Sequence, residues 1–354
     1  MKKIVSFFLL LNFIFTFNFP GYGEEDVDKQ SANHLLIETD DDDGYQPLTC
    51  ELRSIDRKST SVRMCASNHQ PLHTSTKSEA NSLSFNWSGY TSFTGKNDIR
   101  NPTYGSATAV SGSWIIPPLT SSEEGDTYSS AWVGIDGYAN SVVEQIGTEH
   151  DVIEGVPVYF AWFEMYPAAA QVIEGFPVFE GDLVEGKVLY LGQDASTNDL
   201  FRLTIKNHTR KVKFSINQST LPGNPAHLSS VEWIVEAPVN ITPEGCVEFL
   251  PLANFGKIFF GNCQATINGL KGSIDNKHWT YDAITMVARD GTVKDTPSLL
   301  FSNCKDSNSS RSSNSDSISD SFPKSLRKGP CKSSSFYVDW MDSGPFPYDS
   351  SCLD

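Results

Sequence analysis

Residues 229–238 read "SSVEWIVEAP". Val231, Trp233, Ile234 and Val235 make the stretch apolar enough for a buried strand, yet Glu232 and Glu236 interrupt it. Side chains of a strand alternate between its two faces. Glu232, Ile234 and Glu236 therefore point one way, and Trp233 and Val235 the other. One face belongs to a core, and the opposite face carries two carboxylates beside an isoleucine.

Runs of the same texture recur on either side. "SATAVSGSWIIP", "SSAWVGIDG", "VPVYFAWFEMYP", "LFRLTIKN", "KVKFSIN", "GKIFFGN" and "DAITMVA" are rich in β-branched and aromatic residues, with Gly, Pro, Asn and Asp between them. No amphipathic helix interrupts the series. Many short strands at this spacing predict an all-β fold, an antiparallel β-sandwich of two packed sheets, concanavalin-like, over residues 85–301. Hydrophobic residues make up 39% of the 354 and aromatics 12%, enough to fill such a core.

The flanks differ. "MKKIVSFFLLLNFIFTFNFPGYG" has two lysines, an apolar run too short for a membrane span, and small residues before Glu24. It predicts a signal peptide over 1–23 and a secreted mature chain, extracellular or periplasmic, with no membrane attachment after signal removal. Residues 24–84 are polar and aperiodic, with the acidic run "ETDDDDG" at 38–44 and a basic patch around Arg57, Lys58 and Arg63. They read as a propeptide or linker. Residues 302–354 form a Ser-rich, low-complexity tail whose last stretch carries aromatics and cysteines.

The formal charge of −16 repels phosphates and disfavours nucleic acid as a partner. Seven cysteines fit an oxidising compartment, and sequence proximity pairs Cys50 with Cys65 and Cys246 with Cys263. None has metal-ligand spacing, so neither a metal nor a cofactor is expected. Sequons occur at Asn86, Asn207, Asn217, Asn240 and Asn308.

The common nucleophile and nucleotide motifs, GxSxG, HExxH, the P-loop and GxGxxG, are missing. "EHD" at 149–151 reads as a surface loop. "DSG" at 342–344 reads as a turn, because aspartic peptidases need two such aspartates sharing a proton. What remains are polar residues inside apolar strands. Gln145 shares a face with Val143 and Gly147; Trp162, Glu164 and Tyr166 alternate with Phe163 and Met165; Trp132 precedes Asp136 by four. Singly, each fits the solvated outer face of a sheet. Together they describe a concave face suited to an extended peptide or glycan, with aromatic rings supplying contact area.

"FNWSGY", "VSGSWIIP", "SSAWVGIDG", "VEQIGTEHD", "AWFEMYP", "VEWIVEAP" and "PLANFG", in this order, resemble the glutamic peptidases, the eqolisin family. The resemblance spans about Phe85 to Gly269. It implies a β-sandwich that cleaves polypeptides at acid pH, insensitive to pepstatin, with Gln145 and Glu232 as the catalytic pair. It also implies substrate-cleft roles for Trp132, Asp136, Trp162 and Glu164, and a propeptide that restrains the enzyme until acid releases it. A monomer is the default for a secreted hydrolase. The implied chemistry is coherent: an ionised Glu232, near ~4.3 if unperturbed, takes a proton from water, and Gln145 hydrogen-bonds the oxyanion without adding charge. Phe163 and Met165 depart from the family's usual Tyr and Trp, and "APVNITPEGCVEFLP" is longer than its usual counterpart. The residues alone leave two other readings open: a non-catalytic, lectin-like carbohydrate-binding sandwich using Trp132 and Trp162, and a glycoside hydrolase using Glu232 with Glu164 or Glu236.

Overall fold

The computed structural model describes residues 50–54, 61–65, 73–74, 81–94, 102–122, 124–241, 247–302, 323, 325–326, 334–344 and 349–350. The β-branched and aromatic runs form strands, and no helix occurs among the described residues. In chain order the first are β1 (Cys50–Ser54), β2 (Ser61–Cys65), β3 (His73–Thr74), β4 (Asn81–Ser84), β5 (Trp87–Phe93), β6 (Ala107–Ile115), β7 (Ser130–Ile135) and β8 (Val143–Ile153). Next come β9 (Val156–Tyr166), β10 (Gln171–Val172), β11 (Leu183–Gln193), β12 (Asp199–Asn207), β13 (Val212–Ser219), β14 (Ser230–Glu236), β15 (Val239–Ile241) and β16 (Val247–Phe249). The last are β17 (Lys257–Ile267), β18 (Leu270–Gly272), β19 (Thr280–Val287), β20 (Val293–Pro297), β21 (Phe301–Ser302), β22 (Ser334–Trp340) and β23 (Asp349–Ser350).

Two layers follow from the pairing. One runs β10-β9-β8-β7-β14-β5-β19, antiparallel throughout, with β4 added parallel to β19. The other runs β13-β12-β11-β6-β17-β22, also antiparallel. β20 pairs with both β19 and β22, so the hydrogen-bond ladder passes continuously between the layers. The long stretch after β14 builds a separate small sheet of β15, β16 and β23.

The main core lies between the layers. Val133, Ile146, Val231, Trp233 and Val235 project from the first; Trp114, Val184, Leu203 and Phe260 project from the second. Trp233 is fully buried and donates its indole N–H to the Ser111 carbonyl at 2.9 Å. Gly112 makes this fit possible: a Cβ there would stand 2.7 Å from Trp233 Cδ1. An indole buried this completely stabilises the fold by about 4–6 kcal/mol at most, from ~25 cal/mol per Å² over its area.

Several expectations change here. The sandwich does not stop at residue 301: β22 pairs with β17, β20 and β21, and Phe336 and Val338 are buried in the core. Apolar alternation in "SSFYVDW" drives this, hidden in a serine-rich composition. At the other end β4, inside the stretch read as propeptide or linker, hydrogen-bonds to β19. "EHD" is not a surface loop; Glu149, His150 and Asp151 are buried in β8, an eleven-residue strand. Cys263 is a free thiol buried in the core, so the expected pairing with Cys246 does not form. The β1–β2 register sets the Cys50 backbone opposite that of Cys65. Of the sequons, Asn86 and Asn207 are fully buried, whereas Asn217 is exposed on β13. The "DSG" segment is a turn, with Asp342 Oδ1 accepting from the Gly344 N–H at 2.8 Å. The signal peptide, most of 24–84, Cys246, Cys304, Cys331, Cys352 and Asn308 lie outside the described residues.

Candidate active site

The register of one layer assembles the site. Glu232 on β14 lies opposite Thr91 on β5 and Gly134 on β7. Gly134 lies opposite Gln145 on β8, and Gln145 opposite Glu164 on β9. Thr91 in turn lies opposite Asp282 on β19. Directly paired residues share a face, so Asp282, Thr91, Glu232, Gly134, Gln145 and Glu164 form one row across six strands, on the face turned away from the main core. Strand spacing of about 4.8 Å sets the Glu232 and Gln145 backbones ~10 Å apart. The intervening residue is a glycine, which sets no side chain of its own between the two; the Trp132 ring edge stands over it, Cζ3 2.8 Å from where a Cβ would lie.

A parallel row sets Ile234, Trp132, Gly147 and Trp162 beside the first, and a third sets Trp87, Glu236, Ser130, Glu149 and Phe160 beyond it. Trp132, Trp162, Trp87, Phe93, Tyr138, Ile234 and Ile284 make a second apolar cluster around these polar groups. The Trp87 and Trp132 rings meet edge to face with centroids 4.8 Å apart. No Lys, Arg or His occupies a site-facing position on β5, β7, β8, β9, β14 or β19.

The two central side chains are held from the outside and left open toward each other. Gln145 donates its amide N–H to Glu164 Oε2 at 2.6 Å, and Thr91 Oγ1 donates to Glu232 Oε1 at 3.2 Å. Gln145 Oε1 and Glu232 Oε2 take no hydrogen bond from any described residue. An amide carries two N–H groups, so Gln145 keeps one donor beyond the one given to Glu164. Burial pushes the Glu232 carboxyl well above the usual range; the hydrogen bond from Thr91 opposes this by favouring the charged form. The expectation of an unperturbed carboxylate therefore does not hold in this closed arrangement.

The opening question about two glutamates on one strand face now has a physical answer. Glu236 accepts from Trp132 Nε1 at 2.8 Å and from Asn86 Nδ2 at 3.0 Å, fixing the indole beside the central row. Glu232 has the free oxygen; Glu236 holds a ring in place.

The other expected residues fall as follows. Trp162 and Glu164 lie on the site face of β9, Glu164 in contact with Gln145. Asp136 is placed differently from a cleft residue. Its carboxyl accepts backbone N–H groups of His227, Leu228 and Ser229 at 2.7–2.8 Å, the Ser229 hydroxyl at 2.7 Å and Asn140 Nδ2 at 3.0 Å. With φ of 70° at Asp136, this clips the end of β7 to the segment entering β14 and so sets the register aligning Glu232 with Gly134. Thr91, Asp282, Glu149 and the spacer Gly134 were missed. Only cross-strand pairing reveals them, and no local motif encodes it.

Comparison with solved structures agrees with the architecture. Scytalido-glutamic peptidase with a transition state analog inhibitor aligns at 20% identity and a TM-score of 0.51, over 74% of this chain and 99% of that one. A second structure of that peptidase, with a peptide based transition state analog, aligns with the same values. At this identity the likeness shows the β-sandwich fold. No curated protein matches the chain. A model of the peptidase A4 family matches residues 86–300, more than half of the 354. The chain thus belongs to the peptidase A4 family, the glutamic peptidases or eqolisins.

Proposed function

We propose that this protein is an exported endopeptidase, active in acid, in which Glu232 activates water and Gln145 stabilises the tetrahedral intermediate. One observation carries the reading: Glu232 Oε2 and Gln145 Oε1 are buried without hydrogen bonds on either side of Gly134. Two such groups flanking a glycine, beside the Trp132 ring, suit one water and one carbonyl group.

The chemistry balances on these residues alone. Ionised Glu232 takes a proton from the water, whose oxygen bonds to the peptide carbonyl carbon. The carbonyl oxygen becomes an oxyanion that accepts the remaining Gln145 N–H, with Glu164 keeping the amide oriented. Glu232 then returns its proton to the amide nitrogen, the C–N bond breaks, and carboxylic acid and amine leave. General base help is worth ~10²–10⁴ in rate, and one oxyanion donor ~10²–10³. Water and substrate entering over Gly134 supply the hydration that lets Glu232 ionise.

The composition of the face supports acid operation. Glu236, Asp151 and Asp282 lie on it beside Glu232, and burial raises each of the three above the usual carboxylate range. Ionising them together in neutral solution would place like charges on a face without Lys, Arg or His. Export rests on residues 1–23 alone. The class is tested by digesting an unfolded protein with the acid-treated full chain from pH 2 to 7, with and without pepstatin. Cleavage confined to acid and indifferent to pepstatin is expected. Pepstatin inhibition, or cleavage persisting undiminished at pH 7, would overturn the reading.

A further inference from the structure

Tyr138 belongs to the apolar cluster of the site face, yet no strand supplies it. It sits in the β7–β8 connection, which Asp136 and Gly137 turn with φ of 70° and 98°. Asn140 braces that turn, its Oδ1 accepting from the N–H groups of Gly137 at 3.2 Å and Val142 at 3.1 Å. From there the Tyr138 ring reaches across β14 to stack on Phe93 of β5, centroids 5.2 Å apart at 22°. Its hydroxyl continues to β19, donating to Asp282 Oδ2 at 2.6 Å, with Ser82 Oγ of β4 3.3 Å away. Ser82 also donates to Asp282 Oδ2. The side chain thus lies across the strands carrying Glu232 and Thr91, pinned at both ends, and is 8% exposed.

We infer that Asp282 is a positioning residue of the catalytic site, which with Ser82 fixes Tyr138 as the wall on the Glu232 side, away from Gln145. The inference rests on the Glu232/Gln145 reading. A fixed ring does two things. It keeps bulk water from the outer side of Glu232, so the one water that reaches the carboxyl is the one over Gly134. It also bounds how far a substrate carbonyl can slide along the row, and small misplacements are costly to rate. β4 is then part of the working site, because one of the two hydroxyls on Asp282 comes from it. Any removal of the N-terminal segment would have to stop before Asn81.

The signature is a change in kcat and in the acid limb of the pH profile, not in stability alone. The groups around Glu232 are Thr91 and Asp282 beyond it, Asp136 and Tyr138 at the β7 end, Gln145 and Glu164 across Gly134, and Glu144 behind the sheet. Of these, Tyr138→Phe frees the ring from Asp282 and takes from that carboxyl one hydrogen bond that favours its charged form, leaving Ser82 on it. A loosened ring admits water to Glu232, and hydration moves a buried carboxyl back toward its ordinary value.

Full-length wild type, Y138F, D282A, D282N, the Y138F/D282A double variant and E232Q would be assayed on one peptide across pH 2 to 7, with urea unfolding alongside. Y138F and D282A should each lower kcat/KM about tenfold, mostly in kcat, and move the acid limb to lower pH. The double variant should be no worse than either single one, since both break the same contact. D282N keeps an acceptor for the phenol and should stay within about threefold of wild type. Folded Y138F with wild-type kcat and an unmoved acid limb would overturn the inference, and Y138F with D282N decides it even where D282A does not fold. An active E232Q would instead overturn the underlying reading, so the two failures are told apart.

Discussion

Gly134→Ala puts one methyl group where the site needs none. The added Cβ would stand 2.8 Å from Trp132 Cζ3, 3.2 Å from Gln145 Cβ and 3.3 Å from the Glu144 carbonyl oxygen. Carbon atoms rest comfortably at about 3.5–4.0 Å, so the indole must retreat by roughly 0.7 Å or more. It has little room, being tied to Glu236 at 2.8 Å and packed on Trp87 at 4.8 Å. Overpacking of this kind costs about 1–3 kcal/mol, which leaves a foldable protein. The catalytic cost should be far larger under the proposed mechanism, because the methyl stands between Glu232 and Gln145, where that mechanism puts the water. Excluding the activated water forfeits most of the ~10²–10⁴ that general base help supplies. The contrast is Gly147→Ala, whose Cβ would meet the Ala131 carbonyl oxygen and Trp132 Cβ, both at 2.6 Å. Backbone cannot yield, so that variant should lose more stability. Steady-state kinetics on a single peptide, with urea unfolding of the same samples, separates the two effects. Folded G134A with kcat within about threefold of wild type would refute the assignment of the strip as the water's place.

Further outcomes follow from other buried groups. Asp295 is fully buried beside Ser88, and burial pushes it up to about 8. An acid whose folded value is raised stabilises the protein below its unfolded value near 4, and that contribution is lost as pH rises toward 8. At ~1.4 kcal/mol per pK unit this amounts to about 4 kcal/mol by pH 7, and Asp295→Asn should flatten the fall in urea midpoint between pH 4 and 8. His150 behaves oppositely. Burial beside Thr148 lowers it to about 3, so the folded protein keeps it neutral and loses stability as pH falls from 6.5, by ~3 kcal/mol at pH 4. His150→Gln should remove that acid slope, and an unchanged slope would contradict the assignment. Glu236→Leu strips the acceptor from Trp132 Nε1 and Asn86 Nδ2, and should cost about 2–4 kcal/mol in urea unfolding, with Glu236→Gln milder.

Much of this architecture was legible in the sequence because strand alternation is local. "VEWIVE" assigned Glu232 and Trp233 to opposite faces, and both lie where alternation put them. What failed was non-local or compositional. "EHD" looks like a loop by charge, yet β8 pairs along its whole length with β9, and tertiary burial overrides composition. "SSFYVDW" is short and sits after a serine-rich run, so its place between β17 and β20 follows only from what it packs against. Nearness in sequence suggested Cys246 for Cys263, but β17 turns that thiol into the core. The central pair illustrates the same limit. Alternation put Gln145 and Glu232 on strand faces, and the family resemblance paired them. Only the register through Gly134 explains why they stand one glycine apart. Asp136, expected in the cleft, instead builds that register, an assignment that needs the partner segment 227–229 to be seen.

The most direct test of the account is kcat for purified, acid-treated wild type and Glu232→Gln on one peptide at the wild type's optimal pH. Glutamine keeps the shape and an acceptor for Thr91 but cannot take a proton. The account predicts a loss of at least ~10³ in kcat with unfolding unchanged to within about 1 kcal/mol. A folded E232Q enzyme retaining a tenth or more of wild-type kcat would contradict it, since the proton from water would then be going elsewhere.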